Sequence, residues 1–477
     1  MRLDVVNPRT GEADYSIEPL DGAAVGRLAA TLRRGQAGWA ARPPEARAEA
    51  LRALAGAMER HKAALTDALA ADTGRAAISR IEVDAMTKTL LRWADSAPAI
   101  IARAQVKDQP TGIPSITTST RLVPYALVGV ISPWNFPLTL ALIDAIPALA
   151  AGCAVVIKPS EVTPRFIRPL MAAVAEVPEL AAVLALIEGD GATGAALIEH
   201  VDFVAFTGSV ATGRKVGEAA ARAFIPASLE LGGKDPMIVL ASADPEKAAE
   251  TALRASVLNT GQACQSIERI YVARAIAGPF LEALVRKAGQ ARLNYPDIHA
   301  GDIGPFIFAR QAQIVQAQID EAVAKGARLL AGGQVEVLGG GYYLRPTVLV
   351  DVTPDMAIMT EESFGPVLPV TPFDTVDEAV EQANSGIFGL SAAVLAGSAA
   401  EAEAVAVRLN AGGVSINDGS LTGLVWEAEK SSFGKSGLGP SRMGESGLLR
   451  FFRKQAIIRQ SGNALPLAAY SEEALGS

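Results

Sequence analysis

The stretch Ala126-Leu-Val-Gly-Val-Ile-Ser132, followed by Ala154-Val-Val-Ile-Lys158, Val183-Leu-Ala-Leu-Ile-Glu188 and Asp202-Phe-Val-Ala-Phe-Thr207, decides the fold. Each is a short run of β-branched and apolar residues. Between them lie helical segments, one apolar at 137–150, one opening near Thr163-Pro164, and one at 210–222. Strands separated by helices at this spacing predict a parallel sheet covered on both faces. Such sheets hold ligands at the carboxyl ends of their strands, where Asn135, Lys158, Glu161, Gly208 and Ser209 fall.

Upstream, residues 21–104 are rich in Ala, Leu and Arg at helical spacing, broken by Pro43-Pro44, and read as a helical bundle. Residues 105–125 alternate (Ile116, Thr118, Thr120, Leu122) and read as a projecting ribbon. Downstream, helices are expected near 244–258, 275–291, 309–325, 376–384 and 399–409, with short strands between. A last strand, FFRKQAIIRQ (451–460), precedes a small-residue tail. The fold class is therefore α/β.

Composition removes several functions. The 477 residues carry 43 basic and 51 acidic side chains, a net charge of −8 with both signs interspersed, which supplies no basic field for nucleic acid. Cys153 and Cys264 cannot form a disulfide framework or a four-thiolate zinc site. His61, His200 and His299 share no metal spacing, so no metal is expected. The run 138–157 is long enough to span a bilayer, but Asp144 would cost about 3 kcal/mol at its centre and Pro147 and Gly152 interrupt it. No membrane is expected as a partner, and the N-terminal residues lack the apolar core of a signal peptide. The cytoplasm is the expected location.

Gly189-Asp-Gly191-Ala-Thr-Gly194 matches the generic dinucleotide fingerprint, but the following strand ends Phe206-Thr207-Gly208-Ser209 without the acidic residue that holds a ribose. It reads either as a pyrophosphate cradle or as a glycine-rich turn beside the cofactor. Gly208-Ser209, opening onto a helix, is the better anion site. Cys153 lies in an apolar run and reads as core. Cys264 lies on a polar turn and reads as a nucleophile, with Glu230, at a strand end before two glycines, as a carboxylate base.

Together Pro133-Trp134-Asn135-Phe136-Pro137, Lys158-Pro159-Ser160-Glu161, Phe206-Thr207-Gly208-Ser209, Glu230-Leu231-Gly232-Gly233-Lys234, Gly261-Gln262-Ala263-Cys264 and Glu362-Ser363-Phe364-Gly365-Pro366 resemble, in order and spacing, the aldehyde dehydrogenase superfamily. The resemblance runs from Asn7-Pro8 to the last strand. It implies a Rossmann-like cofactor domain over 1–104 and 125–231, an α/β catalytic domain over 232–450, and an oligomerisation ribbon over 105–124 and 451–465. A tail at 466–477 follows. The ribbon and last strand are expected to pair with a neighbouring subunit, in a homodimer or homotetramer.

The resemblance implies that Cys264 attacks an aldehyde, that Asn135 and the Cys264 N–H form the oxyanion hole, and that Glu230 assists thioester hydrolysis. It implies NAD, in preference to NADP, held by Ile131, Trp134, Lys158, Glu161, Gly208, Ser209, Gly232, Glu362 and Phe364. Asn417, in Gly413-Val414-Ser415-Ile416-Asn417, is similar to the family's strand near the substrate entrance. A tunnel of Phe136, Leu140, Ile143, Gln265 and Trp426 would then suit a bulky apolar aldehyde, aromatic or medium-chain. The chain departs from the family at Leu258, at Gln265, at Ser432-Phe433-Gly434-Lys435-Ser436-Gly437, and in the loop 418–432 that supplies Trp426. Two other readings are acyl transfer to coenzyme A and a non-catalytic dinucleotide-binding scaffold. A third, a Cys–His thiol hydrolase, would need one of the three histidines beside Cys264.

Overall fold

A computed structural model describes residues 2–471. Four helices, Gly22–Ala40, Pro44–Arg60, Lys62–Thr73 and Ala76–Ala104, precede the ribbon. The first sheet runs Gly437–Leu438, Ala227–Glu230, Phe203–Thr207, Leu127–Ile131, Ala154–Lys158, Leu184–Leu186. All its pairings are parallel except that of Gly437–Leu438. Every residue of Leu127–Ile131, Ala154–Lys158 and Phe203–Thr207 is buried, as expected where helices cover both faces.

The order reverses about Leu127–Ile131, whose neighbours are the next strand in sequence, Ala154–Lys158, and the third strand on, Phe203–Thr207. That reversal opens a crevice at the carboxyl ends, where Lys158 ends one strand and Asn135 and Gly208 follow two others. The helix Pro137–Ala151 starts on proline and stops at Gly152, whose φ of 103° only glycine adopts freely. Asp144, the one charge in that apolar helix, is fully buried between Arg442 (2.6 Å) and Arg450.

The second sheet runs Arg328–Ala331, Thr347–Val350, Val367–Phe373, Ile267–Ala273, Asp235–Val239, Ser391–Leu395, Gly413–Ile416. Only the first of these is antiparallel to its neighbour. Along Asp235–Val239, Met237 and Val239 enter one apolar cluster and Ile238 the other, the two-residue period of a strand covered on both faces. Gly232-Gly233 links the two sheets, so Glu230 ends one and Asp235 begins the other.

Two expectations shift, and the ribbon gains a pairing within the chain. The helix expected from Thr163-Pro164 begins at Ile167, because Thr163 Oγ1 donates to the Trp134 carbonyl (3.2 Å) and the Arg165 N–H to Asp72 (2.8 Å), fixing a turn instead. The segment 437–450, assigned by sequence to the second domain, returns to the first: Gly437–Leu438 extends its sheet and Leu448 enters its core, as does Phe451 just beyond. The ribbon and last strand pair with each other, Phe452–Gln460 against Ile116–Pro124 over nine residues, because both belong to one antiparallel sheet of this chain. The outer edge of Phe452–Gln460 bears no strand among the described residues. Of the expected tail, Leu467–Tyr470 forms a single turn and 472–477 lie outside the described residues. Among the described residues no helix is long and apolar enough to cross a membrane.

Candidate active site

Cys264 sits on a turn just before the strand Ile267–Ala273 and is partly accessible. The turn is shaped by three consecutive left-handed residues, Asn259 (φ 54°), Thr260 (φ 59°) and Gly261 (φ 68°). A side chain on Gly261 would lie 2.2 Å from the Gly365 carbonyl oxygen, so glycine is obligatory there. Thr260, a β-branched residue in a costly conformation, is held by Arg75 Nη1 donating to its hydroxyl (2.9 Å) and by that hydroxyl donating to Gly304 (3.1 Å).

Asn135 is joined to this turn. Its Nδ2 donates to the Gln262 carbonyl at 2.9 Å, and Asn259 Nδ2 donates back to the Asn135 carbonyl at 2.9 Å. Gln262 is held in turn by the Ile307 N–H (2.9 Å). The amide of Asn135 is therefore fixed two residues from the thiol. Burial pushes the Cys264 thiol up to about 12, the Glu362 carboxylate adds to the rise, and the Lys430 ammonium opposes it.

Glu230, at the end of its strand, accepts a hydrogen bond from Ser432 Oγ at 3.0 Å. A Cβ on Gly232 would fall 2.6 Å from both carboxylate oxygens of Glu362, and one on Gly233 would fall 2.8 Å from the Cys264 carbonyl. The Gly233 N–H donates to Glu362 at 3.2 Å. The glycine pair thus admits Glu362 and the Cys264 turn to one place. Burial, reinforced by Glu268, pushes Glu362 up to about 8.

Lys158 and Glu161 form an ion pair at 3.3 Å at the end of the second strand. Gly194 packs over Lys158 and Ile131. Asp190 caps the helix Gly191–Ile198, accepting from the Ala192 (2.9 Å) and Thr193 (3.3 Å) N–H groups. A carboxylate of the chain itself therefore takes the donors that a pyrophosphate would need, and this loop is the glycine-rich turn of the two sequence readings. Ser209 caps the helix Val210–Ala223, and the Gly208 N–H donates to the Glu230 carbonyl (3.1 Å). Phe364 (φ 55°) meets Trp134 edge-on at 5.5 Å. Its loop is pinned by Glu268, which accepts from the Ser363 and Phe364 N–H groups, both at 2.8 Å, and from the buried Lys234 (2.8 Å). This Lys234–Glu268 pair had no signal in the sequence.

On the helix Pro137–Ala151, Leu138, Ala141, Leu142, Ala145 and Ile146 join the apolar core, whereas Leu140 and Ile143 are buried outside it. Phe136 precedes them at the helix start. Gln265 accepts from Thr422 Oγ1 at 2.8 Å, a contact from the departing loop. Trp426 is not brought to these four. It lines a cavity between the helix Ala76–Ala104 and the C-terminal segment, with Arg92 4.7 Å above its ring. Asn417 Oδ1 accepts from the Ala396 N–H (2.8 Å) and so braces neighbouring backbone.

Cys153 is buried, its thiol pushed far up by burial. His61 meets Glu176 at 2.7 Å, the His200 ring packs against Gly26, and His299 lies in a loop after Asp297. Among the described residues no group of three or more His, Cys, Asp or Glu side chains is arranged to hold a metal.

A family model described as the aldehyde dehydrogenase family matches residues 1–457. A protein of Mycolicibacterium smegmatis, provisionally named succinate-semialdehyde dehydrogenase (NADP(+)), is 37% identical over 431 residues, 90% of this chain and 83% of that one. A chloroplastic aminoaldehyde dehydrogenase of Arabidopsis thaliana is 34% identical over 97% of this chain and 93% of its own. The solved structure of a protein from Anabaena variabilis, provisionally named aldehyde dehydrogenase, superposes with a TM-score of 0.95 at 51% identity, covering 98% and 99% of the two chains. Betaine aldehyde dehydrogenase from Staphylococcus aureus in complex with NAD+ superposes at 0.90 and 30% identity, covering 97% and 93%.

Proposed function

This chain belongs to the aldehyde dehydrogenase family, and from that premise we propose that it oxidises a bulky apolar aldehyde to the acid with NAD, through a covalent adduct on Cys264. The observation that carries the reading is the clamp between Asn135 and the turn of Cys264, 2.9 Å in each direction. One N–H of the Asn135 amide is spent on Gln262. The other, with the Cys264 backbone N–H, is left for the oxygen of a bound aldehyde as it becomes an alkoxide. Losing one such donor costs about 3–4 kcal/mol in related chemistry.

The thiol, at about 12, requires a base to attack at neutral pH, and Glu230 is the carboxylate that takes the proton. Sulfur bonds to the carbonyl carbon and gives a thiohemiacetal. A bound nicotinamide dinucleotide supplies the two-electron acceptor. The oxidised adduct is a thioester. Glu230, once it has passed the thiol's proton to solvent, is held by Ser432 as a carboxylate and draws a proton from the water that attacks the thioester; the acid departs as sulfur returns to Cys264 as the thiolate.

The residues fit that dinucleotide. Lys158 and Glu161 present one cation and one carboxylate for ribose hydroxyls, Gly208 and Ser209 open a helix N-terminus, and Gly232 leaves room for Glu362 beside Phe364. The Glu161 carboxylate disfavours a 2′-phosphate, which supports NAD over NADP. The S. aureus relative is solved with NAD+, whereas the M. smegmatis relative is named for NADP(+). Comparing kcat/KM for the two cofactors tests this, and equal or better use of NADP overturns it.

Leu140 and Ile143, buried outside the core, support an apolar wall. A second reading, an aldehyde carrying a carboxylate, is favoured by Lys430, whose charge reaches Cys264. Rates with benzaldehyde and succinate semialdehyde separate the two, and a preference for the latter overturns the apolar reading. The presence of Glu230 supports hydrolysis over transfer to coenzyme A, which a strict coenzyme A requirement would contradict. A homodimer or homotetramer in the cytoplasm completes the proposal; the exposed edge of Phe452–Gln460 supports a partner copy, and a stable monomer by mass measurement would refute it.

A further inference from the structure

We propose that the buried cluster of Arg442, Asp144 and Arg450 is a positioning element for catalysis, whose surplus positive charge holds Glu230 as the carboxylate that takes a proton from water. The inference rests on the reading of Glu230 as the base. The first sheet supplies the geometry. Thr207 and Glu230 are register partners on adjacent parallel strands, and Ser228 lies two residues before Glu230, so the three side chains share one face of the sheet. Arg442 Nη2 donates to Thr207 Oγ1 at 2.6 Å, and Arg450 Nη1 donates to Ser228 Oγ at 2.8 Å. The two guanidinium groups are thus bonded to the position beside Glu230 and to the position before it on the same face.

Charge points the same way. Asp144 pairs with both Arg442 and Arg450, so two cations share one directly bonded anion in a place almost closed to water. Burial works against both guanidinium charges; the Asp144 carboxylate supports them most, and the Glu230 carboxylate supports both as well. Glu230 therefore closes the set, two cations against two anions, and away from water such an interaction is screened little. On its other side Glu230 meets the Ser432 hydroxyl and the Cys264 thiol, around which Asp235, Glu362 and Lys430 stand. Burial raises Asp235 to about 7 and Glu362 to about 8, so those two change charge near neutrality, whereas the arginines keep theirs throughout.

The test reads deacylation alone. Cys264 of the native enzyme is acetylated with para-nitrophenyl acetate in the absence of dinucleotide: the thiol sulfur bonds to the acetyl carbon and para-nitrophenolate leaves. Water then releases acetate, and loss of the acetyl mass is followed against pH. Arg450→Gln removes a cation and should move the fall in rate at low pH upward by about one pH unit. Asp144→Asn removes an anion and should move it downward by about as much. Loosened packing alone would not give opposite signs. Arg450→Lys keeps the charge and should keep the profile in its wild-type place. If Arg450→Gln does not fold, Arg442→Gln carries the same expectation. Profiles that stay put, or that move in one direction for both kinds of variant, overturn the proposal. Glu230→Gln separates it from the reading on which it rests. Deacylation at the wild-type rate in that variant removes the base and the proposal with it. Slow deacylation there, with unmoved profiles in the arginine variants, keeps the base and removes only the role of the cluster.

Discussion

Ser432 and Glu230 lie 202 residues apart in sequence, yet the hydroxyl of one donates to the carboxylate of the other at 3.0 Å. The bond comes from the part of the chain that departs most from its family's pattern. It ties that loop to the carboxylate proposed to serve both halves of the reaction.

Removing it should slow turnover. In Ser432→Ala, kcat is expected to fall by about tenfold, the value of one hydrogen bond to a charged group, with little change in KM for NAD. If deacylation is the step affected, a burst of reduced cofactor appears in stopped-flow traces. Unchanged kcat would show that Glu230 does not depend on Ser432.

The two thiols should differ in reactivity. With the Cys264 thiol raised to about 12, its alkylation by iodoacetamide is expected to accelerate about tenfold per pH unit from 7 to 10, without a plateau. Cys153, in the core, should stay unmodified in the native protein. Peptide mass spectrometry reads both, and a plateau near pH 8.5 or earlier labelling of Cys153 would contradict the site geometry.

Glu82 gives a pH-dependent term in stability. It is fully buried, accepts the Thr139 N–H at 3.0 Å, and burial raises it from about 4.5 to about 7. The native state therefore holds a proton that the unfolded chain releases, so stability falls as pH rises from about 4.5 through 7. The full effect is about 3 kcal/mol. Glu82→Gln should flatten that part of the urea-midpoint profile; an unaltered slope would assign it elsewhere.

At Gly232, alanine would place a methyl 2.6 Å from the Glu362 oxygens. The expected result of Gly232→Ala is a folded protein, destabilised by about 1–3 kcal/mol, whose KM for NAD rises more than its kcat falls. A wild-type KM would remove Glu362 from the cofactor site.

Asp144→Asn leaves Arg442 and Arg450 without their shared counter-ion in a buried place. A loss of about 3–5 kcal/mol is expected from urea unfolding. A change below about 1 kcal/mol would show that the triad is dispensable.

Much of this was legible in the chain. The β-branched runs at Leu127–Ile131, Ala154–Lys158 and Phe203–Thr207 announce themselves because a strand buried on both faces has almost no choice of residue. Asn135, Gly232 and Cys264 stand in short motifs whose spacing survives in one dimension. Contacts such as Ser432–Glu230, Arg75–Thr260 and Arg442–Asp144 are closed by the tertiary fold across 185 to 298 residues, and nothing local marks them. The contact of Trp426 is of the same kind: Arg92, far upstream, lies over its ring, and nothing local marks it. Thr163-Pro164 carries a valid helix-start signal that Asp72, from another helix, outcompetes.

The three left-handed residues before Cys264 have a bearing on how the protein fails. Their backbone prefers other shapes when left alone, Thr260 most of all, and the arrangement persists only while Arg75 and Gly304 reach it from distant segments. Loosening the packing between those segments would scatter the thiol and the Asn135 amide first, before any helix melts. Activity should therefore vanish at a lower urea concentration than far-ultraviolet ellipticity, leaving a chain that is still largely ordered but chemically silent.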